Sequence, residues 1–294
     1  MYPLSFSEFL DACGYTRLNE AIKKANPNTP LPDYIHNLAV EHLRKFLIIG
    51  GMPEAVAKYI ETDGNIYEAA NVLTDLNVTL KSDFSKYSER VPQLRINAVF
   101  EALVAQMGNK FVYAKVAEDF HLSQIKECID LLVMAGLAIP VIHTHANGVP
   151  LGAEINPKKQ KYLMLDTGLY QNLAALNVSE IMLGKDFSFV NKGKIAELFA
   201  GLEIIKTGKN NTFQQLYYWQ REAKKSNAEV DYIVQKGEKI IPIEIKAGTK
   251  GRMQSLHLFL KEKNVGRGVR CSLENFAHYD NIDVYPLYAI SNII

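Results

Sequence analysis

Cysteine is scarce in this sequence. Among 294 residues there are three, Cys13, Cys128 and Cys271. They are far apart and odd in number, so they fit neither a disulfide framework nor a zinc motif, and a reducing cytoplasm is the expected setting. No apolar run reaches the roughly 18–20 residues that cross a bilayer. The opening MYPLSFSEFL has no basic region followed by an apolar core, so it does not read as a secretory signal. Internal repeats and low-complexity tracts are missing, and tryptophan occurs once, at Trp219. Strong net charge is missing as well, the formal value being +1. With 48% hydrophobic and 22% charged residues the composition is that of a soluble globular protein, large enough for one large domain or two to three small ones.

The charge is unevenly divided. From Lys185 onward there are 17 Lys/Arg and 12 Asp/Glu; before it there are 16 and 20. The C-terminal third is therefore the better candidate for contact with a polyanion.

Residues 1–88 read as helical. Ser5 reads as an N-cap with Glu8 at capping-box spacing. Helices are predicted over 34–48, from Pro53 to about 62, and over 66–87, with Gly50-Gly51-Met52-Pro53 as a helix-breaking turn. Residues 89–183 read as helix, short helix (113–120), a helix capped by Ser123, and two strands, at 137–144 and near 161–165. That order is the order of a winged helix-turn-helix. In the helix that would serve for recognition only Gln124 and Lys126 suit DNA, beside the acidic Glu127 and Asp130; the wing carries Lys158, Lys159 and Lys161. DNA contact and a scaffolding role both remain open for this module. Asp166-Thr167-Gly168-Leu169 reads as a capped helix start. His143-Thr144-His145 alternates along a strand; with no carboxylate or cysteine near it in sequence, it reads as a surface pair rather than a metal site.

Residues 184–294 read as helix (193–206), three strands (213–220, 228–235, 239–246), helix (255–263) and two further strands (267–272, 284–290). The stretch IPIEIKAG poses a problem, because Glu244 and Lys246 interrupt an apolar strand and unpaired buried charge is costly. A two-residue turn at Gly237-Glu238, with glycine first, is the type II′ pattern. Its register sets Asp231 opposite Glu244, with Cβ atoms about 4.5–5.5 Å apart on one face. Two opposed carboxylates are sensible with a cation between them, and Lys246 shares their face. Mg²⁺ or Mn²⁺ suits such oxygen ligands and can activate water for in-line displacement at a phosphodiester. A third carboxylate is expected from Glu197, one turn into the preceding helix; Glu203, six residues on, faces elsewhere. Arg221, Lys224, Lys225, Lys250 and Arg252 flank the hairpin and suit a phosphate backbone.

Asp231 followed by Glu244-Ile245-Lys246 resembles the D…E-x-K signature of PD-(D/E)xK nucleases, and Gly193-x-x-x-Glu197 resembles the helical glutamate of their first motif. PLSFSEFL, GGMPEAV (50–56), KSDFSKY (81–87), KYLMLDTGL (161–169) and GKIAELFAGLEI (193–204) are similar to segments of a bacterial and archaeal AAA-type ATPase family. In that family an ATPase core precedes a winged-helix region and a nuclease-like domain of unknown function. The resemblance implies an α+β multi-domain chain: a helical region (1–88), a winged helix (89–183) and a PD-(D/E)xK-like domain (184–294). It also implies that the backbone carbonyl of Ile245 joins Glu197, Asp231 and Glu244 around the metal. No G-x-x-x-x-G-K-[ST] phosphate loop occurs, so ATP hydrolysis by these residues alone is not expected, and the chain is expected to be a truncated product or C-terminal part. The expected function is metal-dependent phosphodiester hydrolysis on DNA with Asp231, Glu244 and Lys246 as catalytic residues. The alternative is a non-catalytic interaction module for an ATPase or for further copies of the chain, with no membrane partner.

Overall fold

The computed structural model describes residues 2–87, 91–174, 192–207, 215–222, 228–249 and 251–294. Two compact units share the chain, and neither is one continuous stretch. The first contains Met1–Leu4, Lys45–Pro140 and Lys161–Val190; the second contains Ser5–Arg44, Val141–Gln160 and Asn191–Ile294.

The first unit is mainly helical. Helix α3 (Asp33–Ile49) enters it and stops at Gly50, whose φ of +74° suits a residue without Cβ. Helix α4 (Pro53–Glu61) then starts with proline in its first turn, where the missing N–H costs nothing. Helix α5 (Ile66–Asp83) and a 3₁₀ turn (Phe84–Tyr87) follow. Phe84 meets Phe100 of α6 (Gln93–Gln106) edge to face, ring centroids 5.2 Å apart. After a short 3₁₀ turn (Tyr113–Lys115), α7 (Leu122–Met134) packs Ile125, Cys128, Ile129 and Leu132 inward. The helix expected at 113–120 is thus only a 3₁₀ turn, and Ser123 lies inside α7 rather than capping it. His121 is the N-cap, because the Gln124 side chain accepts from its backbone N–H at 3.1 Å and fixes the start two residues earlier.

Asp166 caps α8 (Thr167–Leu173), accepting from Leu169 N–H at 3.0 Å, and also accepts from Gly51 N–H at 2.7 Å. A Cβ at Gly168 would lie 2.4 Å from the Ile49 carbonyl. The GGMP and DTGL segments are therefore one packing motif: a glycine-lined crossing pinned by one carboxylate.

Helices α1 (Phe6–Ala12) and α2 (Thr16–Lys24) belong to the second unit. Ser5 and Glu8 form the expected capping box at the start of α1. The buried Glu203 carboxylate also accepts from Phe6 N–H, both oxygens at 3.2 Å. Its place on the helix is where the 3.6-residue period puts it, away from Glu197.

Strands β1 (Ala138–Thr144), β2 (Ile155–Met164), β3 (Leu216–Gln220), β4 (Glu229–Lys236), β5 (Lys239–Ile245), β6 (Gly268–Ser272), β7 (Ala277–Tyr279) and β8 (Ile282–Pro286) form one mixed sheet in the order β2-β1-β3-β4-β5-β6-β8-β7. β1 runs parallel to β3, with His143 beside Tyr218. β4 and β5 are an antiparallel hairpin, and β5 and β6 are parallel. The crossover between the latter is α10 (Gln254–Lys263), which buries Leu256, Phe259 and Leu260 against Trp219, Val230, Ile233 and Ile282. α9 (Lys192–Lys206) makes contacts with β3, β5 and the 3₁₀ segment Leu287–Ile293. The strand expected at 284–290 divides into β8 and that 3₁₀ segment at Pro286.

Candidate functional site

The β4–β5 turn sets the site. Gly237 has φ +61° and Glu238 is not among the positive-φ residues, as a type II′ turn requires. Lys236 faces Lys239 and the ladder runs to Tyr232 opposite Ile243. One residue beyond that pair stand Asp231 and Glu244, near enough for the Asp231 charge to act on the Glu244 carboxyl. Ile243 and Ile245 are buried, as is Tyr232, whose hydroxyl donates to the Glu197 carbonyl at 2.7 Å.

Three of the predicted residues come together at the end of this hairpin. Asp231 Oδ2 accepts from Ile245 N–H at 2.7 Å. Lys246 Nζ donates to Glu244 Oε1 at 2.6 Å. Glu244 is 5% exposed, and burial together with the neighbouring Asp231 charge pushes its carboxyl up to about 7, against the pull of Lys246. Its second oxygen, Oε2, is buried without a hydrogen bond. A buried carboxylate oxygen with no donor normally carries a desolvation penalty, so the environment suits a cation there.

The surroundings hold this arrangement in place. Lys246 N–H donates to the Cys271 carbonyl at 2.8 Å, and Arg270 donates through Nη2 to the Thr249 carbonyl at 2.7 Å. The Lys246 stem lies over Gly251, where a Cβ would meet its Cδ at 2.9 Å.

Glu197 lies one turn into α9, half-buried, and its charge acts on the same Tyr232 hydroxyl as that of Asp231. Glu197, Asp231 and Glu244 do not bring three carboxylate oxygens within 4.8 Å of one another in this structure; among the described residues, the trio of His, Cys, Asp or Glu ligand atoms that close together is His143, His145 and Glu222. Of the flanking bases, Arg221 is paired with Glu262 at 2.5 Å and Arg252 is exposed. Lys224, Lys225 and Lys250 lie outside the described residues.

His143 and His145 are not a surface pair. His143 is fully buried in the sheet, and Glu222, just past the end of β3, joins both rings. Sequence reasoning passed over Glu222 because the contact is created by the parallel pairing of β1 with β3, and no local spacing encodes it. A cavity of about 710 Å³ lies toward the turn end of β5, lined by residues that include Ile240, Ile241, Val265, Arg267 and Tyr285. It contains none of the predicted site residues, and its walls are mostly apolar.

Two family models match the chain. Residues 40–180 match a domain of unknown function (DUF8612), and residues 192–290 match a second one (DUF4143), a domain typically found at the C-termini of AAA-type ATPase proteins. No curated protein and no solved structure matches the chain.

Proposed function

We propose, from the premise that residues 192–290 match an ATPase-associated C-terminal domain, that this region is a PD-(D/E)xK-type, metal-dependent phosphodiesterase module acting on DNA. The observation that carries the reading is the Asp231–Glu244–Lys246 cluster, with the buried Glu244 Oε2 left without a hydrogen bond. The donor set is all oxygen plus one ammonium, which fits Mg²⁺ or Mn²⁺ and not a soft metal. Asp231 and Glu244 would hold the ion with the Ile245 carbonyl, and Glu197, whose carboxylate does not close on the other two in this structure, would have to swing in to join them. Such an ion supplies charge neutralisation at phosphorus and a more acidic water.

The chain's own residues do the rest. The Ile245 N–H fixes the Asp231 carboxylate, so the acid does not have to reorganise when substrate arrives. The Lys246 ammonium, about a quarter exposed, can turn from Glu244 toward a phosphate oxygen and stabilise the charge that develops there as water attacks. The helix–turn–helix–strand–strand order of α6, the 3₁₀ turn, α7, β1 and β2 supports a winged helix as a DNA-contacting or scaffolding module. Energy from ATP would come from outside these 294 residues, which contain no phosphate loop.

A second reading is supported by the closed 2.6 Å ion pair between Lys246 and Glu244. It makes the cluster partly self-neutralising, as in a docking platform that no longer cleaves. One assay separates the two. Purified protein is incubated with single- and double-stranded DNA and RNA in Mg²⁺, Mn²⁺ or chelator, beside Asp231→Ala and Lys246→Ala. The nuclease reading expects metal-dependent cleavage that falls by at least about a hundredfold in both variants, the order expected when a group acting in the transition state is lost. No cleavage by any of the three, or equal cleavage by all, leaves the platform.

A further inference from the structure

We propose that His143, His145 and Glu222 form a second metal site, distinct from the carboxylate cluster, that takes a zinc-class divalent transition ion. One ligand-type atom from each residue lies within 4.8 Å of the others. In a tetrahedral zinc site, ligands about 2.0–2.1 Å from the ion stand a little over 3 Å apart, so small side-chain rotations close the gap.

The independent observation is the state of His143. Its Nε2 lies 3.1 Å from the Gln220 carbonyl, which can only accept. Nε2 therefore carries the proton. A proton on Nδ1 as well would be a buried donor with no acceptor, so the neutral ring, with a bare lone pair on Nδ1, is the form this environment suits. That Nδ1 is buried and makes no hydrogen bond. A neutral imidazole with one nitrogen tied to a backbone carbonyl and the other free is the usual state of a metal-bound histidine, where the carbonyl fixes tautomer and ring orientation.

The His145 ring stands perpendicular to that of His143, centroids 5.2 Å apart, and its backbone N–H is anchored on the Glu154 carbonyl at 3.0 Å. Glu222 is exposed, and Lys159 donates to its Oε1 at 2.7 Å, which holds its carboxyl below the usual range. A charged carboxylate beside two imidazoles is a borderline donor set. It favours Zn²⁺ and its neighbours over Mg²⁺ and leaves a coordination position open. Lys159 is the one cation among the groups identified around the cluster, and it opposes the ion.

The test is calorimetric titration of the whole chain with Zn²⁺ near neutral pH. One ion per chain is expected, with affinity weakened by more than about tenfold in His145→Ala and in Glu222→Ala, since losing a ligand costs no less than losing its supporting shell. Both sites lie outside the closely packed core, so these variants are expected to fold. Asp231→Ala should bind Zn²⁺ as the wild type does, which separates this site from the carboxylate cluster. Lys159→Ala should bind severalfold tighter. In nitrogen NMR of the histidines, His143 Nδ1 should shift on Zn²⁺ addition while Nε2 keeps its proton. No binding, wild-type affinity in His145→Ala or Glu222→Ala, loss of binding in Asp231→Ala, or equal or weaker binding in Lys159→Ala would overturn the assignment.

Discussion

At the scale of single residues, the cost of burying charge organises the candidate site. Glu244 is nearly buried, and its side chain is compensated on one oxygen by an ammonium that is itself mostly covered. Removing the ammonium leaves an uncompensated buried carboxylate, which is worse than removing both charges. Lys246→Met should therefore destabilise the fold by about 2–3 kcal/mol, toward the low end for buried pairs because the lysine is partly exposed. The double variant Lys246→Met, Glu244→Leu should recover most of that loss. Urea unfolding of the four proteins of this cycle measures it. A Lys246→Met cost below about 0.5 kcal/mol, the range of ordinary surface substitutions, would mean the carboxylate is solvated or protonated without its partner. Glycine at position 168 follows a similar local logic. Alanine in a helix ordinarily gains about 1 kcal/mol over glycine, but here its Cβ would collide with the Ile49 carbonyl.

At the scale of elements, one carboxylate can decide where a helix begins. Glu203 on α9 reaches the first N–H of α1, and Phe6 packs edge to face on Phe199, centroids 6.4 Å apart. Burial raises the Glu203 carboxyl above its ordinary value, opposed by Lys206. The folded state thus keeps a proton that the unfolded state releases near pH 4.5. Stability contributed by this group falls as pH rises from that value to the higher folded one, and is constant above it. Glu203→Gln keeps an acceptor for Phe6 N–H and removes the titration. Its stability relative to wild type should therefore increase with pH across that window, as read by urea midpoints from acid to neutral pH. A difference that is flat with pH, or runs the other way, would show that the carboxyl is not raised by burial.

At the scale of the whole molecule, ligand binding and folding are linked. An ion held only by the folded Asp231–Glu244 cluster raises stability by RT ln(1 + [L]/Kd), about 1.4 kcal/mol at ten times Kd. Mg²⁺ should accordingly raise the melting temperature of the wild type and leave Asp231→Ala unchanged, measured by calorimetry in Mg²⁺ against chelator. Equal shifts in both would place the ion elsewhere. Among the described residues no helix is long and apolar enough to cross a membrane. The two units interleave along the chain, so a cut at any single linker would divide at least one of them.

Much of this was legible in the sequence, residue by residue. The Ser5–Glu8 box, the Gly50–Pro53 break, the Asp166 cap and the Gly237 turn are each set by chemistry within a few positions. The turn then fixed the register from Lys236–Lys239 to Tyr232–Ile243, which brings Asp231 near Glu244, because strand side chains alternate and a hairpin leaves no slack. Contacts between distant strands are another matter, since no local rule links residues that meet only through parallel pairing. That is why β1 was expected in a small hairpin module and instead lies beside β3 in an eight-stranded sheet. The same pairing buried His143, aimed its Nε2 at Gln220 and brought Glu222 to the two imidazoles. Local chain geometry determined the caps, turns and acidic hairpin; long-range strand pairing, whose partners sequence spacing does not encode, decided which histidines and carboxylates became neighbours.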